Sequence, residues 1–498
     1  MKSFVRTTRI DDISSNEVFS WHIREGAFER LNPPWQQFKV IERKGNIQSN
    51  GTVKIKMKIA GPIHTIWLVK HSDYVEGKQF RDSQIKGLFS SWTHTHLFKP
   101  LELSSCILED NIEYSLPGGI FSERIASPLI NKKLNQMFNY RHRLTREDLL
   151  IHAIANKIKG NDIPMTIGIT GSSGFLGSSL IPFLTTGGHK VVLLIRYPSN
   201  PNDNNNLHQK NVRSVQWNPS SASLNNKIDD ENIDAVVNFA GENIFGRWTK
   251  EKKKRIFDSR VNTTRSLCKL LTSLNKPPKV LVSASAIGYY GDRGDEVITE
   301  ESPSPSFFLS STSASSSSSS SSSSHHTDFL SDVCKNWEEA TQFAKESGIR
   351  VVNLRIGTVL SSSGGMLSKI LPIFKLGLGG RIGKGNQYMS WIALDDLLGL
   401  ILYAIVNEFI TGPVNAVSPN PITNADFTAT LGKVLSRPTS FSIPEFLIKS
   451  ALGEELANAA ILSSARVIPN RLTKVGYKFR FPYLESVLQH TLGKSISS

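Results

Sequence analysis

The residues best placed to do chemistry form one run, Thr170-Gly171-Ser172-Ser173-Gly174-Phe175-Leu176-Gly177. A glycine turn of this spacing between a strand and a helix can cradle a pyrophosphate. Gly171 permits the tight turn, Gly174 lets the backbone approach the phosphates, and Gly177 lets the helix pack closely on the strand. The helix start adds free N–H groups and the positive end of its dipole. At the end of the next strand an acidic residue would take the ribose hydroxyls of NAD, but the sequence there reads Leu194-Ile195-Arg196. A guanidinium suits a 2′-phosphate, so NADP(H) is the expected cofactor and NAD(H) the alternative. Asn238-Phe239-Ala240-Gly241 closes a later strand, and the small Ala240 and Gly241 are expected to line the same crevice.

The elements that must hold this turn are legible around it. MTIGIT, HKVVLLI, DAVVNFA, KVLVSAS and RVVNLRIG are short, branched and apolar, as buried parallel strands must be. Helical spacing intervenes at Leu176–Thr185, Thr249–Leu274 and Asp328–Ser347. The expected fold class is α/β, a doubly wound parallel Rossmann sheet. The polar stretch Lys157–Pro164 precedes it, which places a first domain at 1–155, a linker at 156–164, the dinucleotide domain at 165–420 and a C-terminal extension at 421–498. Low-complexity insertions are expected at 198–206 and at 310–326, the second almost pure serine ending in His325 and His326.

Composition narrows the function classes. The chain has 498 residues and a net charge of +15, which invites a nucleic-acid reading. The charge is spread out, however, and the one dense run, Lys250–Arg255, opens a helical pattern and reads as a solvated helix face. No nucleic-acid partner is expected. No apolar stretch approaches the roughly 20 residues that cross a bilayer, so no membrane span is expected either, and Leu397–Val406 reads as a core helix. Cys106, Cys268 and Cys334 lack disulfide or metal spacing. These features fit a reducing, cytoplasmic setting, and the basic N-terminus is compatible with an organellar presequence.

Several segments in order carry a family likeness: TGSSGFLG, Ala240-Gly241-Glu242-Asn243-Ile244, Arg247-Trp248-Thr249, Ser259-Arg260-Val261, Ser283–Gly291, Gly377–Gly380, Ser390-Trp391-Ile392 and Leu452-Gly453-Glu454. Over about residues 165–495 the chain resembles the epimerase family group of atypical extended short-chain dehydrogenases/reductases. The resemblance implies an NADP-type enzyme, an oxidoreductase or epimerase, with a small-molecule or hydrophobic substrate. Residues 1–150 resemble a START-like, polyketide-cyclase-like helix-grip domain through Leu31–Trp35, Phe80-Arg81-Asp82, Trp92–His96 and Phe138–His142. That likeness implies an α+β domain with a curved sheet, a long helix and a pocket for a hydrophobic ligand.

The resemblance also implies a catalytic set. The usual mechanism needs a Tyr to exchange a proton, a Lys four residues on, and a Ser or Thr to hold the substrate oxygen. Ser285 fits the last role, with Ser283 as fallback, and Lys335 fits the lysine. Ser331 then stands where tyrosine belongs, so Ser285, Tyr290 or water is left to handle the proton. The missing tyrosine favours an alternative, a non-catalytic NADP(H)-binding sensor. Ala393 stands where the group usually has histidine. His94 and His96 share one strand face, but no third ligand is near in sequence, so no metal is expected there or at His325 and His326.

Overall fold

The computed structural model describes residues 1–36, 38–60, 63–102, 104–196, 210–219, 231–305 and 328–494. The insertions expected at 198–206 and 310–326 lie outside the described residues. The chain divides into two compact units. One is Met1–Asn161 with Pro182–Gly188 and the last residues from Gln489; the other is Asp162–Ile181 with His189–Leu488.

The first unit is a seven-stranded antiparallel sheet, two short helices and one long one. Its strands are β1 (Lys2–Ile10), β2 (Phe38–Lys44), β3 (Thr52–Ala60), β4 (Ile63–Val75), β5 (Gln79–Lys86), β6 (Ser91–Glu102) and β7 (Ser105–Ser115), in the spatial order β1-β7-β6-β5-β4-β3-β2. Helices α1 (Ser15–Ile23) and α2 (Ala27–Leu31) follow β1, and α3 (Gly119–Lys159) follows β7. Side chains alternate along β6, so Trp92, His94, His96 and Phe98 all face the core and are buried. Leu134 and Phe138 of α3 pack there against Phe4, Trp92, Ile112 and Tyr114. Burial of each such side chain stabilises the fold by about 1.5–3 kcal/mol. Arg30 of α2 clasps Asp148 of α3 through two bonds of 2.6 and 2.9 Å, a buried bidentate pair. Helix α3 runs to Lys159, past the expected boundary at Ala155. Asn156–Lys159 contains nothing that stops a helix, and Gly160 at φ 79° is the first residue to leave it, in a left-handed C-cap.

The second unit holds a seven-stranded parallel sheet. Its strands are β8 (Thr166–Thr170), β9 (Lys190–Ile195), β10 (Val212–Gln216), β11 (Ala235–Asn238), β12 (Val280–Ala286), β13 (Arg350–Ile356) and β14 (Gly412–Ala416). They lie in the order β10-β9-β8-β11-β12-β13-β14. The order reverses between β8 and β11, and in such sheets ligands bind at the carboxyl ends of the strands at that reversal. Helix α4 (Phe175–Thr186) follows β8, and α5 (Lys250–Thr272) follows β11. Thr249 caps α5 by accepting from the Lys252 backbone N–H. The basic run opening α5 lies on its accessible side, where Lys252 and Lys253 pair with Glu242 and Glu455. The helical stretch expected over Asp328–Ser347 breaks in two, with α6 covering Phe329–Glu339 and a short helix covering Gln342–Glu346. At the junction the Thr341 backbone N–H and hydroxyl both donate to the Glu338 carbonyl, an i−3 pattern in place of the helical i−4 one. Helix α7 (Leu394–Val406) is buried nearly all round, a core helix. Among the described residues no helix is long and apolar enough to cross a membrane.

Candidate functional site

The glycine turn opens directly from β8. Gly171 sits at φ +66°, a conformation that disfavours any side chain, and a Cβ on it would stand 2.6 Å from the Phe239 carbonyl oxygen. A Cβ on Gly177 would lie 2.4 Å from the Gly171 carbonyl oxygen, so that glycine lets α4 close on the turn. Gly174 differs from both. Its Cβ would meet only the Gly171 carbonyl oxygen, at 3.2 Å, and otherwise face open space. Two glycines therefore serve the protein's own packing, and the middle one keeps room beside the start of α4. Ser172, Ser173, Phe175 and Leu176 complete the turn and the first residues of the helix.

Two polar rows cross the carboxyl ends of the strands. In the first, register places Thr170 beside Asn238, Asn238 beside Ser283 and Ser283 beside Asn353. The Thr170 hydroxyl donates to Asn238 Oδ1 at 2.7 Å. The Asn238 amide nitrogen donates to Thr264 at 2.9 Å and to Ser283 at 3.1 Å. These groups are buried, so the network fixes the strand ends on either side of the reversal. It also occupies Ser283, the fallback for substrate contact.

The second row holds Ser285, Arg355 and Asn415 side by side on β12, β13 and β14. Ser285 donates to Glu338 Oε1 at 2.8 Å. Arg355 clasps the same carboxylate through Nε at 2.8 Å and Nη2 at 2.9 Å. Its remaining nitrogen donates to the Tyr290 hydroxyl at 2.8 Å, and that hydroxyl donates to Asn415 Oδ1 at 2.7 Å. Tyr290, expected as a proton donor, is wholly buried in this chain of bonds. Burial pushes its phenol up to about 12 despite the neighbouring guanidinium, so it holds its proton and braces Arg355. Ser331, in the place of the usual tyrosine, is also buried and donates to the Tyr289 carbonyl at 2.8 Å. Lys335 lies half-buried one turn further along α6. The structure thus joins Ser285 and Tyr290 through Glu338 and Arg355, a pair that the sequence reading missed. Glu338 lies three residues beyond Lys335 on a helix, close enough to share its face.

Arg196 follows the end of β9 with its side chain exposed. Ala240 and Gly241 follow β11, and a Cβ on Gly241 would stand 3.2 Å from the Arg260 guanidinium. That guanidinium lies over the Trp337 ring at 5.2 Å, and burial lowers its pKa. Arg260 lies in the Ser259–Val261 segment that carries the family likeness, and the fold places it beside Gly241.

The first unit has a site of its own, a cavity of about 160 Å³ walled by Trp67, Phe80, Trp92 and Phe138. Its polar side carries Asp82, His94 and His96. Burial opposes charge on His96, but the carboxylates of Asp110 and Asp82 prevail and raise it to about 9. His22, buried with no carboxylate bonded to it, is pushed down to about 3.

The pattern of the NAD dependent epimerase/dehydratase family matches residues 167–315, and that of a domain of unknown function, DUF1731, matches 443–491. An epimerase family protein of Mycobacterium bovis is 37% identical over 315 residues, 63% of this chain and 93% of that protein. The chain belongs to the epimerase family. Within it, YfhF of Bacillus subtilis is 35% identical over 66% of this chain and 98% of that protein. The crystal structure of a nucleoside-diphosphate sugar epimerase from Corynebacterium glutamicum is 31% identical with a TM-score of 0.74, covering 98% of this chain and 90% of that one. The likeness to it therefore spans both units. The structure of human epimerase family protein SDR39U1 with NADPH is 30% identical with a TM-score of 0.55, covering 66% of this chain and 99% of that one. The matched residues 167–315 and 443–491 fall almost wholly in the second unit, whose parallel sheet is an α/β Rossmann-like fold.

Proposed function

We propose that the protein is an NADP(H)-dependent oxidoreductase or epimerase of the extended short-chain type. The observation that carries this reading is the room beside Gly174 at the start of α4, at the point where the strand order reverses. A dinucleotide fits there: Gly171–Gly177 would hold the pyrophosphate, Ala240 and Gly241 would line the crevice, and Arg196 would take a 2′-phosphate. NADPH in the human relative supports the choice of cofactor. When bound, the nicotinamide supplies hydride transfer.

The chain's own residues then orient the substrate. Ser285 places a substrate oxygen, its proton directed to Glu338 and its lone pairs left to accept. Arg355 pins the Glu338 carboxylate through two hydrogen bonds, so Ser285 stays in one rotamer. Tyr290 is withdrawn from proton transfer, which leaves that step to water, with Lys335 adding positive charge along α6. The first unit is proposed as a START-like domain whose aromatic cavity admits the apolar body of a small ligand.

Calorimetry on the full chain tests the reading. NADPH should bind the wild type and Ser285→Ala alike, and Gly174→Asp should weaken binding at least about a hundredfold, because a carboxylate would occupy the phosphate position. Failure of the wild type to bind NADPH or NADH would remove the proposal. If the cofactor binds but no carbonyl or hydroxyl compound turns over, the sensor reading takes its place.

A further inference from the structure

The sheet of the first unit assembles what the sequence keeps apart. Asp82 on β5 is the register partner of His94 on β6, and His96 follows two residues later on the same face. One donor atom from each of Asp82, His94 and His96 lies within 4.8 Å of the other two. We infer that these three residues form a binding site for a divalent first-row transition ion, Zn²⁺ being the simplest occupant.

Four observations support the site. The donor set is two imidazoles and one carboxylate, which suits Zn²⁺ or its neighbours and not Ca²⁺ or Mg²⁺, whose ligands are oxygens. The imidazoles share a second carboxylate. Asp110 Oδ1 lies 2.8 Å from His94 Nε2 and 2.7 Å from His96 Nδ1, and His142 Nε2 holds its other oxygen at 2.6 Å. Asp82 is oriented in turn by His71 Nδ1 at 2.6 Å. Carboxylates behind histidines and a partner behind the carboxylate are the outer shell that fixes metal ligands.

The third observation is a ring nitrogen left for a ligand. His96 is buried, and with Nδ1 turned to Asp110 its Nε2 stands 3.5 Å from Asp82, on the side of the proposed ion. The last is access. All three residues border the aromatic cavity, so an ion there keeps a coordination position facing it. The rings are already held, His96 stacked on Phe80 at 4.2 Å and His94 edge-on to Phe138 at 5.3 Å. Coordination at about 2.0–2.2 Å requires the donors to draw together by about an ångström, within reach of side-chain rotation. Asp82 and Asp110 compensate the ion's charge, as a buried cation requires.

The test uses the full chain, stripped with chelator and titrated with Co²⁺ and Zn²⁺. Co²⁺ should give visible d–d bands that saturate at one ion per chain, and Zn²⁺ should displace it. Asp82→Asn, nearly the same shape, should weaken binding at least a hundredfold, as should His94→Ala. Asp110→Asn should weaken it about 10- to 100-fold through lost orientation. The circular dichroism spectrum should be unchanged in all three, which checks that each variant is folded, and unchanged NADPH affinity separates this site from the nucleotide site. Replacing His325 and His326 by alanine should change nothing. Absence of d–d bands in the wild type overturns the inference and leaves the cluster as a buried charge network. So does binding that survives Asp82→Asn or disappears with the His325/His326 replacements.

Discussion

The Ser285 hydroxyl donates to Oε1 of Glu338 at 2.8 Å, and the same oxygen accepts from Arg355 Nε at 2.8 Å. One carboxylate oxygen thus ties the serine at the end of β12 to an arginine on the next strand. Loss of either end has different consequences. Glu338→Ala strands a guanidinium whose side chain is only 4% exposed, and should cost about 3–5 kcal/mol in denaturant unfolding. Ser285→Ala removes one hydrogen bond and should cost about 1 kcal/mol. It should nonetheless lower turnover strongly with NADPH affinity unchanged, because a contact made mainly in the transition state acts on rate. Equal stability losses in the two variants would show that Glu338 does not carry Arg355.

Arg196 should decide between the two dinucleotides. Wild type is expected to bind NADPH at least about tenfold more tightly than NADH, since one charge-assisted contact to a 2′-phosphate is worth roughly 1.5–3 kcal/mol. Arg196→Ala should bring the two affinities together while leaving NADH binding in place. Equal affinities in wild type, measured by calorimetry, would rule out the NADP preference.

The three glycines of the turn should separate folding from binding. Gly177→Ala places a methyl group 2.4 Å from a backbone oxygen and should destabilise by about 1–3 kcal/mol. Gly171→Ala adds the strain of a left-handed backbone to a similar clash and should be at least as damaging. Gly174→Ala should melt within a few degrees of wild type and lose affinity for NADPH. A melting temperature for Gly174→Ala as low as that of Gly177→Ala would mean that the room beside Gly174 is structural.

Asp396, at the start of α7, predicts a pH dependence. Burial pushes its carboxyl up to about 7, against the opposing N–H groups of Arg480 and Phe481 at 2.6 and 3.0 Å. Between about pH 4 and 7 the folded chain therefore holds a proton that the unfolded chain has released. Its contribution to stability falls as pH rises through that window. Asp396→Asn keeps an acceptor and removes the titration, so its loss of stability from pH 5 to pH 8 should be smaller than that of wild type. Parallel pH profiles for the two proteins would assign the dependence to other groups.

Local sequence determined a good deal of this protein. The run from Thr170 to Gly177 specified turn, strand and helix together, because a left-handed backbone and two close backbone approaches leave no residue but glycine at those positions. The branched apolar strands announced a buried parallel sheet, and the absence of tyrosine at 331 was visible before any fold was known. Their information is local, carried by the residue and its immediate neighbours. Only the tertiary structure decided what the polar side chains do. Tyr290 is buried and tied up because β13 and β14 bring Arg355 and Asn415 to its hydroxyl. Glu338 matters because α6 packs against β12 and brings its carboxylate to Ser285 and Arg355. Asp82 stands beside His94 because β5 and β6 pair in one register, and a slip of one residue would send it to the other face of the sheet. Register and crossover are long-range properties, set by how whole strands and helices bury their apolar faces, and no local pattern of residues encodes them.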